Sequence, residues 1–143
     1  MNTDNNNHGI WKTVCVTCGD GRFQRNLLDY AESLGGLSDS VLAPGGVKKF
    51  LGDEKYRETM LEDIATYLSL HRQDTILVIQ HEDCGAYGGR KSFESQTTER
   101  QFHHRELEQV LPILQKRFPD THIIAGFICL DGIVTMFEDL VSS

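Results

Sequence analysis

Apolar residues along the chain gather into two kinds of segment, short continuous runs and helically spaced stripes. Val14-Cys15-Val16-Thr17, inside Trp11–Thr17, is short, β-branched and closed off by Gly19 and Gly21, which predicts a buried strand. Gln24–Leu34 carries Leu27, Leu28, Ala31 and Leu34 at helical spacing and stops at Gly35-Gly36. Val41–Ala43 predicts a short second strand ended by Pro44-Gly45-Gly46. Asp53 is placed to cap a helix running to Leu70, with Met60, Leu61, Ile64, Ala65 and Leu68 as its stripe. Thr75–Gln80 is an apolar run suited to a strand buried on both faces. A polar loop from Glu82 to about Thr98 leads into a helix over about Glu99–Phe118, whose Pro112 is expected to kink or divide it. Its apolar face is Leu107, Val110, Leu111, Leu114 and Phe118. His122–Cys129 reads as a further strand, Asp131-Gly132 as a hairpin turn, and Ile133–Phe137 as the returning strand.

Strands alternating with helices predict an α/β fold: a mainly parallel central sheet flanked by helices, with an antiparallel C-terminal strand at its edge. In such sheets ligands bind beyond the carboxyl ends of the strands. The 143 residues suit a single domain over 11–143, preceded by an Asn-rich arm, residues 1–10, expected to be disordered. With 14 Lys and Arg against 21 Asp and Glu, the net charge of −7 argues against nucleic acid or an anionic membrane as a partner. The longest apolar run, Ile123–Leu130, falls far short of the ~20 residues that span a bilayer. With no apolar segment at the N-terminus, a cytoplasmic location is expected. In that reducing compartment Cys15, Cys18, Cys84 and Cys129 point to metal or catalytic use rather than to disulfides.

Two motifs directly follow two of the predicted strands, Cys18-Gly19-Asp20-Gly21-Arg22 and His81-Glu82-Asp83-Cys84-Gly85. Parallel strands end on one side of the sheet, so Cys18, His81 and Cys84 can converge. Two thiolates and one imidazole suit zinc, and three protein ligands leave the fourth tetrahedral position open, as in catalytic zinc sites. Two thiolates also cancel the charge of the ion, which weakens its power to acidify water. A helper is therefore expected. Arg22 can hold Asp20 in a bidentate pair and keep it ionised, so that Asp20 accepts a hydrogen bond from zinc-bound water. Released by Arg22, Asp20 can itself fill the fourth position.

The pair Cys-x-Asp-x-Arg and His-x-x-Cys-Gly on successive strands resembles the β-class carbonic anhydrases. The similarity extends through Ala125-Gly126-Phe127-Ile128 and Asp131-Gly132, which look like the family's closing hairpin, and covers roughly Val14–Phe137. The resemblance implies a zinc enzyme that interconverts CO2 and bicarbonate through zinc-bound hydroxide. One zinc per chain would be held by Cys18, His81 and Cys84 and served by the Asp20–Arg22 dyad, in a homodimer or higher homo-oligomer. Ala43-Pro44-Gly45-Gly46 stands where the family usually has an Arg-Asn-Ala-Gly-Asn-like segment that shapes the pocket. Hydrolysis of carbon disulfide or carbonyl sulfide at the same zinc site is therefore an alternative, as is a non-catalytic zinc module on this fold.

Other residues have plainer readings. Cys15 with Cys18, His81 and Cys84 would make a closed four-ligand structural site, but an extended 14–18 segment points Cys15 and Cys18 to opposite faces. Cys15 and Cys129 are read as core. Phe23, Tyr87 and the backbone of Gly85 are taken as pocket elements. Glu82 and Asp83 are read as solvated or capping groups, Gly45-Gly46 as a plain turn, and His103 and His104 as a polar helix face rather than as proton shuttles.

Overall fold

The computed structural model describes residues 10–140. The arm expected over residues 1–10 thus lies, but for Ile10, outside the described residues. Five strands form one sheet in the order β2-β1-β3-β4-β5. They are β1 (Trp11–Thr17), β2 (Leu37–Leu42), β3 (Thr75–His81), β4 (His122–Ile128) and β5 (Val134–Met136). The first four are mutually parallel, and β5 runs antiparallel to β4 at the edge. The helices are α1 (Gln24–Ser33), α2 (Lys48–Gly52), α3 (Glu54–His71) and α4 (Gln96–Arg117). Together they make the α/β architecture that the alternating pattern predicts.

Each face of the sheet has its own core. Val14 and Val16 of β1 and Ile76 and Val78 of β3 lie under Met60, Leu61 and Ile64 of α3 and Leu107, Val110 and Leu114 of α4. The intervening residues Cys15, Leu77 and Ile79 point the other way, against Phe23 and against Leu27 and Ala31 of α1. This two-residue alternation later sends Gln80 and His81 to opposite faces. β3 is buried along its whole length, as its unbroken apolar run requires.

Three boundaries differ from the sequence pattern. β2 begins at Leu37 rather than Val41 because it is an edge strand, where Ser38, Asp39 and Ser40 need no apolar neighbour on both sides. Asp39 is instead taken up by the His71 ring and the Gln73 amide. α2, a short helix beginning just after the Gly45-Gly46 turn, was not predicted. α4 runs through Pro112 as one helix. Pro112 lies on its exposed side, where water can meet the carbonyl that the missing N–H leaves unpaired. The Asp53 cap is as expected, its carboxylate accepting the Lys55 and Tyr56 N–H groups at 3.0 and 3.1 Å.

Candidate metal centre

Pairing brings the ends of β1 and β3 together. Thr17 lies opposite Ile79, so Cys18, one residue past β1, emerges beside His81, the last residue of β3. Thr17 reinforces this contact by donating its hydroxyl to the Ile79 carbonyl at 2.7 Å. The backbone then turns at Asp83, which has a φ of +61°, and brings Cys84 back to the same place. The Sγ atoms of Cys18 and Cys84 and a ring nitrogen of His81 lie within 4.8 Å of one another, and all three residues are buried.

The donor set fits a metal such as zinc. His81 Nδ1 donates to the Glu82 carbonyl at 2.8 Å, which leaves the lone pair on Nε2. Nε2 is buried and, among the described residues, meets no hydrogen-bond partner. A buried acceptor left bare is costly unless something else fills its lone pair. Burial holds the imidazole pKa below its ordinary value, so the ring is neutral, as a ligand must be. Burial first, and then the neighbouring Cys18, push the Cys84 thiol above its ordinary range. A divalent cation held by Cys18 and Cys84 would reverse that preference. Phe23 packs its ring 4.4 Å from the His81 ring and fixes its plane.

Asp20 and Arg22 form the expected fork. Arg22 Nε and Nη2 donate to Asp20 Oδ1 and Oδ2 at 3.1 and 2.7 Å, and the Arg22 backbone N–H adds a bond to Oδ1 at 2.9 Å. The Arg22 hydrogen bond holds the Asp20 carboxyl down at about 2. Asp20 Oδ2 stands 3.9 Å from His81 Nε2, beside the position a metal would take. Asp83, read from the sequence as a solvated or capping group, is also the second partner of this arginine. Its Oδ2 and its carbonyl accept from Nη1 and Nη2 at 3.1 and 3.0 Å. Asp83 is itself fixed from behind. The buried Glu99 carboxylate accepts its N–H at 2.8 Å, and its Oδ1 accepts the Arg90 N–H at 2.8 Å. Glu82, given the same solvated-or-capping reading, is not solvated. It is buried, and its carboxylate accepts the Leu130 N–H at 2.8 Å.

A cleft of about 390 Å³ opens over Cys18 and Cys84. Cys18, Asp20 and Cys84 line it on one side, and Ala43, Pro44 and Gly45 on the other. Gly45-Gly46 is therefore more than a plain turn. The Gly45 N–H points at Cys18 Sγ, 3.4 Å away. Gly85 lines the cleft as expected, but Phe23 lies in the core behind His81, and Tyr87 turns toward Gln80 and Glu106. His103 is not on a polar helix face. It is wholly buried, with Phe127 5.2 Å away, while half-buried His104 stacks on Phe137. Cys15 packs among Phe23, Leu27 and Leu77, away from the ligands, and Cys129 is half-buried at the margin of the core. Among the described residues the cluster joins Cys18, His81 and Cys84 without Cys15, so the closed four-ligand site is not formed. Among the described residues no helix is long and apolar enough to cross a membrane.

The Cys-His-Cys cluster sits at the carboxyl ends of two neighbouring parallel strands, where ligand sites of such sheets gather. Residues 9–137 match the family model described as "Putative carbonic anhydrase", and the chain belongs to this family. Uncharacterized protein RC0076 of Rickettsia conorii is 26% identical over 141 residues, covering 91% of this chain and 74% of that protein. An uncharacterized protein of Rickettsia bellii is 26% identical over 133 residues, covering 85% of this chain and 79% of that one. Among solved structures, the β-carbonic anhydrase CafA of Aspergillus fumigatus superposes with a TM-score of 0.51 at 11% identity. The match covers 92% of this chain and 79% of CafA, a likeness of fold.

Proposed function

We propose that this protein catalyses the reversible hydration of CO2 to bicarbonate and a proton, with one zinc ion per chain held by Cys18, His81 and Cys84. The observation that carries the proposal is the bare, buried Nε2 of His81, set among two cysteine sulfurs and beside an aspartate already locked by arginine. When bound, zinc supplies the Lewis acidity that makes water a nucleophile near neutral pH.

The chain's own residues do the rest. Asp20, ionised by Arg22, accepts a hydrogen bond from the attacking water and turns its lone pair toward the cleft. Because Arg22 is gripped by Asp83 as well, both Asp20 oxygens stay engaged by the guanidinium and the carboxylate is kept as an acceptor beside the ligands. The wall of Leu42, Ala43 and Pro44 offers apolar surface to a small uncharged molecule. Asp20 lines the open cleft, so the proton released can leave to buffer.

Loss of 18O from labelled bicarbonate, followed by mass spectrometry, tests the reaction directly. Zinc-loaded protein is expected to speed the depletion well above the uncatalysed rate. Protein with full zinc that leaves the label untouched, yet turns over carbonyl sulfide, would assign the same centre to the sulfur analogue.

A further inference from the structure

Gln80 immediately precedes His81 on β3 and faces the opposite side of the sheet, where it is 2% exposed. Its carboxamide bonds the Gly45-Gly46 turn twice. Oε1 accepts the Val47 N–H at 3.2 Å, and Nε2 donates to the Gly45 carbonyl at 3.2 Å. The same nitrogen lies 3.3 Å from the Tyr87 hydroxyl and 3.4 Å from His103 Nδ1, which anchor the amide from the helix side. The turn is shaped to receive it. Gly46 has a φ of +63°, and a Cβ there would fall 2.1 Å from Gln80 Oε1. The held turn is the one that aims the Gly45 N–H at Cys18 Sγ and walls the cleft.

We infer that Gln80 is a positioning residue of the metal centre: by clamping Gly45 and Val47 it directs the Gly45 N–H onto the Cys18 sulfur and so moderates the electron donation of that thiolate. The inference rests on the reading of Cys18 as a metal ligand. An N–H donor on a thiolate draws electron density off the sulfur, and groups behind the ligands tune a metal in this way. Here the effect has a use. Two thiolates nearly neutralise a divalent ion, and a hydrogen bond to one of them returns part of its acidity. The side chain must offer a donor and an acceptor at glutamine's length. Leucine offers neither, and asparagine is one methylene too short to reach both groups of the turn.

Cobalt-substituted protein tests this, because its sulfur-to-cobalt charge-transfer band reports thiolate donation independently of turnover. Wild type is expected to bind one cobalt and show the band. Gln80→Leu is expected to bind cobalt as well, with the band moved to lower energy, and its zinc form to hydrate CO2 about tenfold more slowly. Should Gln80→Leu fail to fold, Gln80→Asn serves the same comparison. In wild type loaded with 113Cd, the Gly45 amide proton is expected to show scalar coupling to the metal through the sulfur. An unmoved band in a folded variant, or no coupling at Gly45, overturns the role of Gln80 and leaves the metal centre standing. Wild type that shows no sulfur-to-cobalt band instead overturns Cys18 and Cys84 as ligands.

Discussion

Replacing Arg22 by alanine separates holding the metal from using it. Among the described residues Arg22 makes no hydrogen bond to the three ligand side chains, and its guanidinium spans Asp20 and Asp83. Its loss frees the Asp20 carboxylate, whose Oδ2 is already 3.9 Å from His81 Nε2. The cost in stability is small. The Arg22 hydrogen bond is the main cause that lowers the Asp20 carboxyl from its ordinary 3.8 to about 2, which corresponds to at most about 2 kcal/mol at about 1.36 kcal/mol per pKa unit. The Arg22 side chain is 48% exposed, so water screens the pair and about 1 kcal/mol or less is the expected loss. The sign follows from the lowered value: this stability is full above pH 3.8 and disappears as pH falls toward 2. The cost in catalysis is larger, because groups that orient a metal's surroundings are worth about 10–100-fold. Stopped-flow hydration with zinc measured in the same sample is the assay. Arg22→Ala is expected to keep its zinc and lose 10–100-fold in rate. Arg22→Lys is expected to recover little, because an ammonium cannot make the fork. Arg22→Ala with full zinc and a wild-type rate would falsify the dyad argument.

Three further expectations follow from the same contacts. Cys84→Ser replaces a buried sulfur donor with a hydroxyl, and the purified variant should carry little zinc by atomic absorption; full retention would remove Cys84 from the ligand set. Asp53→Ala removes the acceptor for the Lys55 and Tyr56 N–H groups, at a cost of about 1 kcal/mol or roughly 3 °C in Tm; an unchanged melting curve would contradict the cap. Burial lowers the His103 pKa from 6.5 to about 3, so folding with a neutral ring loses stability as pH falls through that window. Urea melts of His103→Gln should show a shallower decline from pH 6.5 to 4 than wild type, and parallel declines would show that other groups govern acid sensitivity.

The sequence made the site more legible than its supports. Cys18, His81 and Cys84 could be placed together because each follows an apolar strand, and parallel strands end on the same side. Asp20 and Arg22 could be paired because they lie two residues apart in one turn. The second hold on Arg22 was hidden, since Asp83 reaches it only after a left-handed turn that a non-glycine residue rarely adopts. Glu99, His103 and Gln80 were missed for a common reason. They are polar residues inside elements recognised by apolar periodicity, and pattern reading sends such residues to solvent. Gln80 alone left a trace, as the polar residue closing the predicted Thr75–Gln80 run. In β2, Ser38 to Ser40 hid half of an edge strand.

The measurement that bears most directly on the central claim is a zinc titration of metal-free protein with CO2 hydration followed by stopped flow, at neutral and mildly alkaline pH. The account predicts a rate that climbs with added zinc and levels off at about one ion per chain. Zinc taken up to one equivalent with no hydration at either pH would contradict it.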